Sequence, residues 1–198
     1  MLLSQKEKKL LEKYDSVTGI DEVGRGTLAG PVLVASYTLT KQTRIYDTVN
    51  DSKKLTKNKR EELYNKLTTD KNVYHIGISS NLIIDKYGIV YAIQQSMNYC
   101  IKKSNPHYIL IDGIFKEKFD TEKKYETIIK GDTKIYCIAA ASIIAKVTRD
   151  KIMERLSLKY ENFDFQSNKG YGTKFHIQQL KTLGPTDIHR LSFIKNII

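Results

Sequence analysis

Residues 17–39 read VTGIDEVGRGTLAGPVLVASYTL, and this stretch decides the fold. Residues 17–21 make a short strand that runs straight into the paired carboxylates Asp21 and Glu22. The following PVLVASYTL (31–39) is β-branched and apolar, so a second strand comes almost at once. A connection this short favours antiparallel pairing. Between the strands, Gly24-Arg25-Gly26 and Gly30 give the spacing GxGxxxG, one residue longer than the dinucleotide fingerprint, and a strand follows where that fingerprint needs a helix. No GxxxxGK[ST] stretch occurs in the chain. Rossmann and P-loop sites are therefore excluded, and the glycines make a tight turn. Bare backbone beside paired carboxylates also brings peptide groups within reach of a ligand, and Arg25 offers a fork for a phosphate.

Working outward, residues 1–14 suggest an amphipathic helix with Leu3, Leu10 and Tyr14 on one stripe. A helix is expected over 53–67, an alternating strand over 73–79, and a long helix over 85–103 that stops before Asn105-Pro106. Short strands are expected at 108–111 and 127–129. A long helix follows, carrying Ile138, Ala141, Ala145, Thr148, Ile152 and Leu156 at three- and four-residue spacing, and a last helix spans 173–183 before Gly184-Pro185. These elements predict an α/β fold with a mixed sheet. No repeat or Pro/Gly/Ser-rich linker interrupts the chain, so residues 1–198 are expected to form a single domain.

Lys and Arg number 33 against 22 Asp and Glu, a formal charge of +11. The excess gathers in 41–60, with seven basic residues against Asp47 and Asp51, and in 169–198, with five against Asp187. A polyanion is the natural partner of such a surface. The longest nearly apolar stretch, 137–145, is far shorter than the roughly 20 residues of a membrane span. The N-terminal MLLSQKEKKLLEKY lacks the apolar region of a secretory signal. With only Cys100 and Cys137, a disulfide framework is excluded and a reducing, cytoplasmic location is expected.

Within this basic chain, Asp21, Glu22, Asp112 and Asp132 stand at strand ends or in a short turn. Each alone suits a turn or cap. Gathered together they repel and raise one another's pKa unless a cation intervenes. Mg²⁺ and Mn²⁺ prefer oxygen ligands, and two ions about 3.5–4 Å apart stabilise both the attacking and the leaving oxygen of phosphodiester cleavage. A basic surface around an acidic centre is the physical signature of a nuclease.

The segments GIDEVGRGTLAGPV (19–32), NDSKKLT (50–56), ILIDG (109–113), IIKGDTKIYCIAAASIIAKVTRD (128–150), KGYGT (169–173) and GPTDIHRLSF (184–193) occur in one order across nearly the whole chain. In this the sequence resembles the ribonuclease HII (type 2 ribonuclease H) family. The resemblance implies a ribonuclease H-like fold with a central mixed five-stranded sheet flanked by helices. It implies a metal-dependent endoribonuclease that cuts 5′ of ribonucleotides embedded in duplex DNA, and RNA in RNA–DNA hybrids, leaving a 3′-hydroxyl and a 5′-phosphate. Arg25 and the short N-terminus favour type 2 over the related type 3 enzymes.

Carried over position by position, the resemblance makes Asp21, Glu22, Asp112 and Asp132 the catalytic, metal-binding carboxylates for Mg²⁺ or Mn²⁺. Gly24, Arg25 and Gly26 match the segment that reads the ribose 2′-hydroxyl, and Tyr171 matches the tyrosine that packs on the sugar of the following deoxynucleotide. Lys53 and Lys169 are expected phosphate contacts. Asp150 is either a support for the centre or a partner of Arg149, and His189 is expected to be structural. The expected partners are RNA–DNA hybrid and ribonucleotide-containing DNA duplex, acted on by a monomer with no membrane contact. The IKNII tail lacks the glutamine-and-aromatic pattern of a sliding-clamp peptide. Two rival classes fit parts of the pattern. A junction resolvase also needs clustered carboxylates but has no use for a 2′-hydroxyl, and a noncatalytic nucleic-acid-binding module leaves the carboxylates unexplained.

Overall fold

The computed structural model describes residues 1–69, 73–115 and 118–198. Helix α1 (Gln5–Lys13) opens on a capping box, in which Ser4 accepts from the Glu7 amide and the Glu7 carboxylate accepts from the Ser4 amide. Strands β1 (Val17–Val23) and β2 (Val32–Leu39) form the expected antiparallel hairpin, with Val17 opposite Leu39 and Val23 opposite Leu33. Thr56 caps α2 (Lys57–Leu67), and β3 (Tyr74–Ser79) adds antiparallel to β2. Helices α3 (Asn81–Tyr87) and α4 (Ile89–Ser104) lead to β4 (Tyr108–Asp112), which pairs parallel with β1. Strand β5 (Lys124–Ile128) pairs parallel with β4. The long α5 (Tyr136–Ser157) and the shorter α6 (Phe165–Asn168), α7 (Lys174–Leu183) and α8 (Leu191–Ile194) complete the chain. The sheet order β3-β2-β1-β4-β5 is the expected mixed five-stranded sheet flanked by helices.

Strand alternation sorts the core into two layers. Leu33, Ala35 and Leu110 pack with Leu63 of α2 and Ile138 and Ile144 of α5 on one face. Ile20, Val34 and Ile109 pack with Ile93 and Met97 of α4 on the other. Covered on both sides, β2 is buried along all its length, which explains its unbroken apolar sequence. The first ten residues of α5, 136–145, are likewise buried all round. At Gly19 the helix touches the sheet backbone itself: a Cβ there would lie 2.3 Å from the Cys137 carbonyl carbon and 2.4 Å from the Ile138 nitrogen.

Several expected elements differ in extent, among them the helix expected over 1–14, which runs over Gln5–Lys13 after the Ser4 cap. The helix expected over 85–103 is two helices, because Gly88 at φ 87° ends α3 and starts α4. The helix expected from residue 53 begins at Lys57, while Asp51 caps a 3-10 turn at Ser52–Lys54. Strand β5 starts at Lys124, earlier than expected, because an edge strand exposes polar residues such as Lys124 and Glu126 that break the apolar signal.

The contact at Gly19 is backbone against backbone and has no flexible side chain to yield. Gly19→Ala is expected to lower the unfolding free energy by about 3 kcal/mol. Urea denaturation checks this, and an unchanged midpoint would contradict the close approach of α5.

Candidate active site

Because β1, β4 and β5 run parallel, their carboxyl ends open on one edge of the sheet, where open α/β sheets bind ligands. Ile20 lies opposite Ile111, so the next residues along, Asp21 and Asp112, stand side by side. Strand β5 closes at Ile128, opposite Asp112. Lys130, in the left-handed region at φ 56°, then turns the chain into the short turn Gly131–Thr133 that carries Asp132. The Gly131 amide donates to Asp112 Oδ1 and ties the two segments together. Asp21, Glu22, Asp112 and Asp132 thus line one cleft of about 250 Å³.

Two other residues expected from the sequence, Lys53 and Tyr171, line the same cleft. So do Ser52, Ser142 and Lys146, which the sequence reading did not single out. Ser142 bonds to Ser52 at 2.9 Å and helps to hold the Asp21 carboxylate. Lys146 pairs with Asp150 at 2.7 Å, so Asp150 supports a residue of the cleft and is not the partner of Arg149. Ser142, Lys146 and Asp150 recur every fourth residue of α5. Ser142 and Lys146, the first polar residues after the apolar run 136–141 and four residues apart, were the available signal.

The carboxylates crowd one another. Burial, then the charges of Glu22 and Asp112, push Asp21 well above the ordinary carboxylate range. Burial also raises Glu22, with Asp112 adding to the rise and the Arg25 guanidinium, 3.7 Å away, opposing it. Asp132 is raised by burial and by Asp112 and Asp51, against the pull of Lys53. Among the described residues no three His, Cys, Asp or Glu side chains are gathered tightly enough to ligate an ion by themselves. The donors of the cleft are nevertheless all hard oxygens under mutual repulsion. That set suits a divalent cation whose shell is completed by water and phosphate oxygens.

The turn 24–31 is set by two buried arginines. Gly24 stands at φ 86°, and a Cβ there would strike Arg149 Nε at 2.2 Å. Arg149 donates to the carbonyls of Pro31, Ala29 and Lys169 and to Thr27 Oγ1, at 2.8–3.1 Å. Arg190 donates to the carbonyls of Gly30 and Arg25, both at 3.0 Å. The Leu28 amide donates to the Gly170 carbonyl, so the glycine turn and the 169–173 segment are bound together beside the cleft. Lys169 lies outside the cleft lining, with its ammonium on Glu154 at 2.9 Å and on the Gln166 carbonyl. His189 is buried and bonded to His176 and to Thr186, a structural placement as expected.

A family model described as Ribonuclease HII matches residues 18–196. The chain belongs to the ribonuclease HII family. A ribonuclease HII of Clostridium perfringens is 46% identical over 189 residues, covering 93% of this chain and 69% of the relative. One of Caldicellulosiruptor bescii is 42% identical over 194 residues, covering 97% and 93%. Among solved structures, the ribonuclease H2 of Pyrococcus horikoshii matches with a TM-score of 0.76 at 26% identity over 92% of this chain and 96% of that one. The ribonuclease HII in a PCNA complex from Archaeoglobus fulgidus matches at 0.74 and 25% identity, over 88% and 93%. As a ribonuclease HII the chain is a nuclease enzyme with a ribonuclease H-like fold. Among the described residues no helix is long and apolar enough to cross a membrane.

An amide at position 21 keeps the oxygen that accepts the Glu22 amide at 2.8 Å but removes the charge. The folded pKa of Asp21 lies above its ordinary 3.8, so the native state holds the proton more tightly than the unfolded chain. Its ionisation therefore opposes folding, and the penalty grows as pH rises from 3.8 towards the raised value. Asp21→Asn is expected to melt above the wild type in EDTA, by a margin that widens from about pH 4 to 7. Parallel melting curves across that range would contradict the electrostatic crowding.

Proposed function

We propose that this chain is the endoribonuclease that hydrolyses the phosphodiester 5′ of ribonucleotides embedded in duplex DNA, and RNA in RNA–DNA hybrids, leaving a 3′-hydroxyl and a 5′-phosphate. The observation that carries this reading is the convergence of four carboxylates at the ends of three parallel strands, in a chain of net charge +11. Asp21, Glu22, Asp112 and Asp132 would hold Mg²⁺ or Mn²⁺. Two such ions, when bound, supply an activated water for in-line attack and stabilise the leaving 3′-oxygen.

The chain's own groups do the rest. Lys53 lines the cleft, where its ammonium suits the scissile and neighbouring phosphates, and Lys146 would join it once its pair with Asp150 opens. A Cβ at Gly26 would meet nothing within 4 Å, so the fold itself makes no demand for glycine there. A bare backbone at that point lets a ribose 2′-hydroxyl approach the peptide groups of Gly24, Arg25 and Gly26. Tyr171, 43% exposed and lining the cleft, would pack its ring on the next deoxyribose. Contact of Lys169 with phosphate requires its pair with Glu154 to open. In this reading the enzyme removes ribonucleotides during DNA replication and repair. It works as a cytoplasmic monomer, and its two buried free cysteines, Cys100 and Cys137, suit a reducing compartment.

Asp112→Asn keeps the oxygen that accepts the Gly131 amide and loses the charge. Its cleavage of a duplex holding one ribonucleotide is expected to fall by about 10³-fold with the fold intact. Replacing that ribose by deoxyribose should abolish cutting by the wild type; retained cutting would move the reading to a resolvase-type nuclease. Gly26→Ala is expected to leave the melting temperature unchanged and to slow single-ribonucleotide cleavage by about 10²-fold. An unchanged rate would remove this turn from 2′-hydroxyl recognition.

A further inference from the structure

Behind Tyr171 lie two fully buried histidines that the proposed chemistry does not use. His176 Nδ1 sits 2.9 Å from the Tyr171 carbonyl, and His176 Nε2 sits 2.9 Å from His189 Nε2. His189 Nδ1 faces the Thr186 amide and hydroxyl, each at 2.9 Å. The two ends of this row fix every proton in it. The Tyr171 carbonyl only accepts, so His176 carries its proton on Nδ1 and leaves Nε2 as an acceptor. His189 must then donate from Nε2, which leaves its Nδ1 to accept the Thr186 amide. Any other neutral tautomer puts two donors or two acceptors face to face.

The surroundings hold both rings neutral. Phe163 and Phe165 pack against them, with Phe165 edge-on to His176 at 5.3 Å and Phe163 against His189 at 4.9 Å. Burial in this aromatic cage lowers both imidazole pKa values, that of His189 to about 4. The Thr173 amide also donates to the Tyr171 carbonyl, at 2.8 Å, and the Tyr171 amide donates to Asn168 at 2.9 Å. The peptide groups on both sides of the Tyr171 Cα are thus pinned while its ring stays on the cleft. Segment 186–190 is anchored in turn, since Asn81 donates to the carbonyls of Asp187 and His189.

We propose that the Thr186–His189–His176 row is a brace that sets the Tyr171 ring against the sugar at an RNA-to-DNA junction, making His176 and His189 positioning residues for substrate choice. This rests on the reading of Tyr171 as the sugar contact. A bare carbonyl–amide contact would also join the two segments. The imidazole pair instead spans them with rigid planar rings, and its single proton arrangement defines one spacing and one orientation.

The test measures the ratio of cleavage rates on a single-ribonucleotide duplex and a uniform RNA–DNA hybrid, in Mg²⁺, for full-length variants. His176→Phe keeps a ring in the cage and loses both polar edges; the ratio is expected to drop about tenfold, as when an outer supporting partner is removed. His176→Asn places an amide nitrogen where Nδ1 donates but ends short of His189, so it should restore only part of the ratio; full restoration would overturn the role of His189 in the row. If Tyr171→Ala lowers the ratio and His176→Phe leaves it at the wild-type value, the brace is overturned and the sugar contact stands. If Tyr171→Ala itself leaves the ratio unchanged, the sugar contact falls and the inference with it. Independently of any variant, long-range ¹H–¹⁵N spectra of the wild-type protein at neutral pH should show His176 protonated on Nδ1 and His189 on Nε2. The opposite tautomers, or an imidazolium at either residue, would overturn the row.

Discussion

The glycine turn and the 169–173 segment beside the cleft lean on one buried guanidinium. Arg149 leaves α5 fully enclosed and spends its donors on Thr27 Oγ1 and on carbonyls from the glycine turn and from Lys169. An enclosed charge without partners is costly by several kcal/mol, so this position is stable only with those oxygens in place. The requirement works in both directions. The turn 24–31 has little regular structure of its own and takes its shape from the donors that it must satisfy. Gly24 is bare because a side chain there would occupy the space of the Arg149 side chain. Arg190 repeats the device from the C-terminal side on Gly30 and Arg25. Its burial next to Arg149 lowers its own pKa to about 9.

A second constraint sets the acidic centre. Parallel pairing of β1, β4 and β5 places three chain segments distant in sequence at one sheet edge, and each delivers carboxylate there. The close seat of α5 on Gly19 brings Ser142 and Lys146 over the same edge. Burial, and then the neighbouring charges, raise the pKa values of Asp21, Glu22 and Asp132, so the ionised site is unfavourable to the bare protein. In the proposed mechanism the charges that oppose the fold are the charges that hold the metal, so stability would yield to function at this site. The acidic cleft stands within a chain whose formal charge is +11.

The helix that joins these constraints is itself anchored from the N-terminus of the chain. Glu7 of α1 is buried and accepts the amides of Tyr136 at 3.1 Å and Cys137 at 2.9 Å, at the positive end of α5. One carboxylate thus closes its own helix through the capping box and caps another, 129 and 130 residues away in sequence. Nothing in the local pattern QKEKKLLEK separates Glu7 from an exposed glutamate. Its role exists only where α1 meets α5.

By itself the sequence determined the strands, most helices and the identity of the acidic centre. Periodicity follows from which faces are buried, and carboxylates at the ends of apolar runs stand out against that pattern. Asp21, Glu22, Asp112, Asp132, Lys53 and Tyr171 were all legible in this way or through the family motifs, and all line one cleft. Their convergence was not legible, because strand order and parallel register are pairings between distant segments. Tertiary structure alone decided that Lys146, not Arg149, pairs with Asp150, that Lys169 is engaged by Glu154, and that two histidines form a proton-ordered row. A charged or polar side chain has the same local signature whether it meets water, phosphate or a buried carbonyl. Only the fold, by excluding water from some positions and leaving it at others, settles which partner each one takes.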